Sequence, residues 1–113
     1  MQHDAAVTAL SALAQPTRLA AFRALVEAGQ AGLAVGELRE RLDVPPATLT
    51  AHLNVLRAAA LVADEREGRV IRVRANYAQM NALLGYLTEN CCAGAAACDP
   101  VQSCKPRKTG AKP

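Results

Sequence analysis

The chain has 113 residues and an apolar fraction of 51%, much of it alanine, with one Phe, two Tyr and no Trp. This length allows one domain with a modest core, and an alanine-rich, aromatic-poor core favours packed helices over a β-sandwich. The net charge of +3 comes entirely from residues 91–113, because residues 1–90 contain nine arginines and nine acidic residues. Overall charge therefore says little about nucleic-acid binding, and local patterns must decide it.

The first 19 residues have neither the basic start nor the continuous apolar stretch of a signal peptide. No window approaches about 18 consecutive apolar residues, so no membrane-spanning helix is expected. We expect a cytoplasmic protein, in which the four cysteines remain reduced and serve as ligands or reactive thiols. There is no Gly-rich phosphate loop and no cluster of carboxylates, so we expect no enzyme activity.

The sequence predicts two helices in its first third. Three apolar residues recur at helical spacing in the first, residues 5–14: Val7, Leu10 and Leu13. The second helix begins near Pro16, since a missing N–H costs nothing in a first helical turn, and ends at Gly29. Residues 30–34 are expected to form a loop.

A short third helix, residues 35–44, is expected to end before Pro45 and Pro46, which open a fourth helix that continues to residue 62. Its apolar stripe recurs at i, i+4 and i+7: Leu49, Leu53 and Leu56. The opposite face carries small or hydrogen-bonding side chains: Thr48, Thr50, Ala51, Asn54 and Arg57. One face can therefore anchor the helix while the other offers donors and acceptors without bulk.

Residues 61–75 contain two β-branched segments on either side of Glu67-Gly68, which predicts a β-hairpin. Residues 76–90 predict a last helix, after which no periodicity continues. The order of helix, short helix, turn, helix and hairpin predicts a mainly α-helical winged helix-turn-helix. In such a fold the fourth helix enters the major groove of DNA. The hairpin would lie over the adjacent DNA backbone.

The predicted hairpin carries four arginines: Arg66, Arg69, Arg72 and Arg74. We expect Arg66 and Arg69, which are nearest the turn, to contact phosphates. The alternative is that all four only form a solvated face. The tail lysines would add non-specific DNA affinity that salt removes.

The stretch TLTAHLNVLRAAALVADEREGRV resembles the signature of the ArsR/SmtB family of metal-sensing repressors, and LAQPTRLAAFRAL resembles the second helix of that family. The signature positions are met by Thr50, His52-Leu53, Leu56, Leu61-Val62 and Gly68-Arg69. The resemblance covers residues 5–90. It implies a homodimer, joined through the first and last helices, that binds two-fold symmetric operator DNA and is released by a metal or metalloid.

Three positions in this region need a separate interpretation. Ala60 stands where the family usually has Gly, and Val73 stands where Tyr is common. We interpret both departures as affecting packing more than function. His52 lies beside Leu53 on the predicted recognition helix, and its expected role is a DNA backbone contact or support of the helix.

All four cysteines lie in the last 23 residues. The third helix lacks the cysteine pair of many arsenic sensors of this family, and the last helix lacks the Asp and His ligands of its zinc sensors. Cys91, Cys92 and Cys98 instead resemble an arsenite-responsive variant whose Cys-Cys-x5-Cys site follows the last helix. The resemblance implies that these three thiolates bind As(III), with Sb(III) as a second candidate, since soft ions prefer thiolate ligands.

Other interpretations of the cysteines remain open. They could form a four-cysteine zinc site, although adjacent cysteines suit tetrahedral zinc poorly. They could form a thiol redox switch, serve a metal-sequestering protein, or have no role. We expect Cys104 to be a spare thiol. The resulting division is residues 1–90 for DNA binding and dimerisation, 91–104 for the inducer, and 105–113 as a disordered basic tail.

Overall fold

The computed structural model describes residues 1–94. Five α-helices and three β-strands form this part of the chain: α1 His3–Leu13, α2 Pro16–Ala28, β1 Leu33–Ala34, α3 Val35–Leu42, α4 Pro46–Ala58, β2 Val62–Glu67, β3 Val70–Ala75 and α5 Tyr77–Leu87. The helices, the small antiparallel sheet and their order confirm the predicted winged helix-turn-helix. None of the helices in residues 1–94 has the length and apolarity needed to cross a membrane.

The sheet has the order β1-β3-β2, and both pairings are antiparallel. The hairpin of β2 and β3 turns through Gly68 and Arg69, one residue later than predicted, because Glu67 still pairs with Val70. Gly68 has a φ of 63°, which is readily adopted by glycine at the first central position of a two-residue hairpin turn. The hairpin of β2 and β3 is the wing of the fold, and the turn places Arg69 at its tip.

The prediction that residues 30–34 form a loop is wrong in part. Gly29–Ala31 forms a 3-10 turn, and Leu33–Ala34 forms strand β1 against β3. Gly32, with a φ of 67°, lies so close to the backbone of β3 that a Cβ atom there would collide with the carbonyl oxygen of Val73. A strand of two residues has too short a pattern to be predicted, and its register depends on this close approach.

The core brings together the leucines of the helix-turn-helix. The α4 stripe is confirmed, since Leu49, Leu53 and Leu56 are 0–1% exposed. Leu25 of α2 and Leu38 of α3 are equally buried. Each fully buried leucine stabilises the fold by about 1.5–3 kcal/mol relative to an exposed one. The orientation of α4 is therefore fixed by its apolar face.

Helix α1 is confirmed as a helix, but Val7 and Leu10 of its recurring apolar residues do not form the face that packs on the core. The buried side consists of alanines, with Ala6, Ala9 and Ala12 only 0–3% exposed. Val7 is 52% exposed and Leu10 is 41% exposed. The large apolar residues of α1 therefore face away from the core of their own chain.

Ala60 adopts a left-handed conformation, with a φ of 62°. The interpretation of this departure as a packing effect is wrong, because the side chain is exposed and the backbone is what is strained. We predict that Ala60→Gly raises the free energy of unfolding by about 1 kcal/mol, since glycine adopts this conformation without a Cβ clash. Urea unfolding would measure the change. The control Ala51→Gly, inside α4, should lower the free energy of unfolding by about 1 kcal/mol. If Ala60→Gly lowered it by the same amount, the backbone at Ala60 would not be strained.

Candidate nucleic-acid interface

The exposed face of α4 is made of small and polar side chains. The turn before it begins at Asp43, whose φ of 54° ends α3, and α4 starts at Pro46. Because the buried leucines fix the helix, its outer side exposes five small or polar side chains: Ala47, Thr50, Ala51, Asn54 and Ala58. The alanines allow close approach to a flat or grooved partner, while Thr50 and Asn54 provide hydrogen-bonding groups. Thr48 is also exposed, near the N-terminus of α4.

His52 lies at the edge of this face and is half-buried. Its Nδ1 atom is 3.4 Å from Nη1 of Arg18 on α2. Arg18 in turn donates from Nε to the carbonyl oxygen of Ala12, at 2.6 Å. Of the two roles expected for His52, support of the helix is the one that these contacts favour.

Arg57 is paired within the protein. Its Nε atom lies 2.9 Å from Oδ2 of Asp64 on β2, and its Nη1 donates to Oδ1 of Asn54 at 2.9 Å. The Nε–H has no aligned hydrogen-bond acceptor, so the contact with Asp64 is an ion pair without hydrogen-bond geometry. Two predicted DNA contacts, Asn54 and Arg57, therefore already contact each other.

The four arginines of the hairpin divide into two pairs. Arg74 forms an ion pair with Glu65 at 2.7 Å, and Arg72 donates to the carbonyl oxygens of Ala31 and Gly32 at 3.0 and 3.2 Å. Arg66 and Arg69 are exposed and have no hydrogen-bond or ion-pair partner within residues 1–94. Arg66 and Arg69 are the two arginines expected from the sequence to contact phosphates, because they are nearest the turn. The strand register places the carboxylate of Glu65 near the other pair, since Glu65 lies opposite Arg72 and next to Arg74.

A groove of about 550 Å³ separates the wing from α4 and the start of α3. It brings together three residues predicted for DNA binding: Thr50, Arg57 and Arg69. Val35 and Val70 form apolar parts of its wall. The exposed face of α4 and the wing tip thus border one continuous concave surface with basic groups along it.

The first two cysteines follow α5 after a turn of three residues, 88–90. They begin a 3-10 turn, Cys91–Gly94, in which Cys91 is half-buried and Cys92 is exposed with a φ of 55°. Cys98 and Cys104 lie outside the described residues. Within residues 1–94 no group of three His, Cys, Asp or Glu side chains is close enough to hold a metal ion.

Helix α5 contacts the start of α1 through a histidine–tyrosine pair that the sequence did not predict. Nδ1 of His3 lies 2.8 Å from the hydroxyl of Tyr86, and the two rings meet edge to face at 6.1 Å. A lone histidine near a terminus carries no pattern that would predict such a partner 83 residues away. The cysteine turn therefore begins next to a junction of the first and last helices.

The outer side of this helix pair is apolar and open. Val7 and Leu10 on α1 and Leu87 on α5 are 41–54% exposed. An open cavity of about 360 Å³ lies between α2 and α5, and its lining includes Leu19, Phe22 and Leu83. Several large apolar side chains on neighbouring helices mark an interaction surface.

A family model described as a helix-turn-helix domain matches residues 13–65, from the end of α1 into β2. The chain is 41% identical over 71 residues to the HTH-type transcriptional repressor SmtB of Mycobacterium tuberculosis. That match covers 63% of this chain and 50% of SmtB, so the chain spans half the length of this curated relative.

Two solved structures extend the likeness over the whole fold. A homodimeric winged helix-turn-helix DNA-binding domain from Mycobacterium bovis is 26% identical, with a TM-score of 0.60, over 77% of this chain and 81% of that one. An ArsR-like transcriptional regulator from Rhodococcus sp. RHA1 is 30% identical, with a TM-score of 0.66, over 91% of this chain and 92% of that one. This chain therefore belongs to the ArsR/SmtB family of helix-turn-helix transcriptional regulators.

Proposed function

We propose that two copies of this chain bind double-stranded operator DNA as a homodimer and repress transcription. The observation that carries the proposal is the exposed, alanine-rich face of α4 beside a wing tip whose Arg66 and Arg69 are unpaired within residues 1–94. An α-helix of this kind fits the major groove, and exposed guanidinium groups at the wing fit phosphates. The similarity to SmtB, a repressor, supports the same assignment.

The dimer is proposed to form through α1 and α5. Their outer residues Val7, Leu10 and Leu87 stay largely exposed in one chain, and covering them with a second copy would remove that surface from water. The homodimeric state of the Mycobacterium bovis relative supports this assembly. Two α4 helices related by a two-fold axis would then contact the two half-sites of a symmetric operator.

The inducer is proposed to be As(III), bound by Cys91, Cys92 and Cys98. Cys91 and Cys92 are adjacent on the turn after α5 and would supply two soft ligands in the reduced protein, and the third lies six residues further along the chain. Binding would rearrange the end of α5, next to the contact of Tyr86 with His3. Because binding couplings are reciprocal, operator DNA must weaken As(III) binding by the same factor by which As(III) weakens DNA binding.

One titration tests the function as a whole. Fluorescence anisotropy of a labelled DNA fragment from upstream of the gene would be followed while arsenite, antimonite, zinc, cadmium or peroxide is added. Release by arsenite, with zinc and peroxide inactive, is the expected result. Release by peroxide alone would identify a redox-responsive repressor instead. Absence of DNA binding by the untreated protein would favour a metal-sequestering role.

We predict that Arg69→Ala weakens operator binding by about 1.5 kcal/mol per subunit, the value of a charged hydrogen bond. It should also lower the slope of log K against log salt by about 0.9 for each phosphate that the variant no longer neutralises. Thr50→Ala should weaken binding with an unchanged slope, because it removes no charge. Arg23→Ala on α2 is the charge-matched control, and its affinity should stay near that of the wild type. Equal behaviour of Arg69→Ala and Arg23→Ala would remove Arg69 from the interface.

A further inference from the structure

Three polar side chains form a chain of contacts between α4 and the first strand of the wing. Asp64 on β2 contacts Nε of Arg57 at 2.9 Å, and Arg57 donates from Nη1 to Asn54 at 2.9 Å. The side chains of Arg57 and Asp64 are only 29% and 39% exposed. Partial burial makes their attraction stronger than that of a fully solvated pair.

Arg57 is the one wing-facing arginine of α4, and its charge is already matched. To reach a phosphate, its guanidinium would have to leave both Asp64 and Asn54. Arg66 and Arg69 would give up no such partner, since neither has one within residues 1–94. The geometry therefore separates Arg57, which joins two elements of the fold, from the arginines that are available to DNA.

The contact with Arg57 also fixes the amide of Asn54. A guanidinium group has donors and no acceptor, so the amide oxygen of Asn54 must face Arg57. The NH2 group of Asn54 is then left on the exposed face of α4. An asparagine that recognises adenine uses both its oxygen and its nitrogen. Asn54 held in this way presents its NH2 group to the exposed face and turns its oxygen toward Arg57.

We propose that Arg57 is a positioning residue of the DNA interface. Held by Asp64, it keeps the base of the wing against α4 and orients Asn54 as a hydrogen-bond donor toward an acceptor such as guanine O6, guanine N7 or thymine O4. The assignment rests on the proposed binding of operator DNA. It differs from the sequence-based expectation, in which Arg57 itself contacts DNA.

The first test compares salt dependence among charge variants. Arg57→Met is expected to weaken operator binding by about fivefold, the scale of one partly exposed ion pair, with the salt slope unchanged. Asp64→Asn is expected to weaken it to a similar extent, although the variant removes a negative charge near DNA. The matched control is Glu67→Gln, which removes an exposed carboxylate from the same strand and should not weaken binding. Thermal melts would establish that each variant is folded.

Two results would overturn the assignment. A slope lowered by about 0.9 per subunit in Arg57→Met would make Arg57 a phosphate contact. Tighter binding by Asp64→Asn would mean that Asp64 competes with DNA for Arg57. Either result would leave the proposed DNA binding intact while removing the positioning role.

Binding to operators with each base at one position provides a second test, because loss of a purely structural contact would not change the base preference. At the operator position where Asn54→Ala removes base preference, the wild type should prefer guanine or thymine. Arg57→Met frees the amide oxygen to accept from adenine N6 while the NH2 group donates to N7, so the preference for adenine should rise at that position. A wild-type preference for adenine there would contradict an amide oxygen turned toward Arg57.

A measurement without DNA separates this inference from the proposed function. Urea unfolding of Arg57→Met, Asp64→Asn and the double variant forms a double-mutant cycle on the full chain. The midpoint shifts are expected to be non-additive, because either single change breaks the same contact. Additive shifts would overturn the contact itself. If the wild type bound no DNA while the shifts stayed non-additive, the operator-binding function would fail and the contact between α4 and β2 would stand.

Discussion

A chain carrying Val7→Glu and Leu10→Glu is expected to become monomeric and to bind its operator about 10²–10⁴-fold more weakly, which is the gain that joining two binding units provides. Both side chains are exposed in the single chain, so the folded monomer should tolerate the change. In the proposed dimer, the new carboxylates would be buried without partners, which is strongly unfavourable. Light scattering would give the mass, and operator anisotropy would give the affinity.

Thr8→Glu is the control for this experiment, since it adds one of the two negative charges of the double variant to an exposed position of the same helix. It should remain dimeric and bind DNA. A double variant that kept the mass of two chains would place the dimer interface elsewhere. A double variant that was monomeric yet bound operator with full affinity would show that one copy is sufficient.

Serine at Cys91, Cys92 or Cys98 is expected to leave operator affinity unchanged while abolishing release by arsenite. A serine hydroxyl is a poor ligand for a soft ion, and two thiolates would hold arsenite less firmly than three. Allosteric couplings are typically about 1–3 kcal/mol, so the wild-type affinity should fall by about 5–150-fold with arsenite, and the variants should show no change.

Cys104→Ser is the matched control for the cysteine series. It should respond to arsenite as the wild type does. Failure of arsenite to release Cys104→Ser alone would show that the ligand assignment is wrong. A monomethylated arsenic species needs only two thiolates. It should therefore still release DNA from a variant that lacks one of the three cysteines, but not from a variant that lacks the whole site.

The sequence predicted the order of helices and the hairpin because their patterns are local. The leucines of α4 at positions 49, 53 and 56 belong to one stripe, and that stripe is the buried one. The same reasoning identified an apolar stripe on α1 but not which side of α1 is buried in the core. A periodic apolar stripe identifies a helix face that avoids water, but it cannot distinguish the core of one chain from contact with another. In α1 the alanines occupy the core, and Val7 and Leu10 remain outside.

The candidate site was predictable in part for a similar reason. Exposed residues such as Thr50 and Asn54 follow from the helix period alone. The pairing of Arg57 with Asp64 joins residues of two elements, and it depends on how the wing sits against α4. The left-handed conformation of Ala60 was also hidden, because alanine gives no sign of a positive φ where glycine would.

In α1, the residues that stabilise the single chain are different from the residues that would contact a partner. Ala6, Ala9 and Ala12 are buried so tightly that larger side chains would overpack the helix contacts. Val7 and Leu10 can change with little effect on the single chain. In the proposed dimer, the exposed side of α1 would therefore decide which partner is accepted, and that side could change without altering the fold.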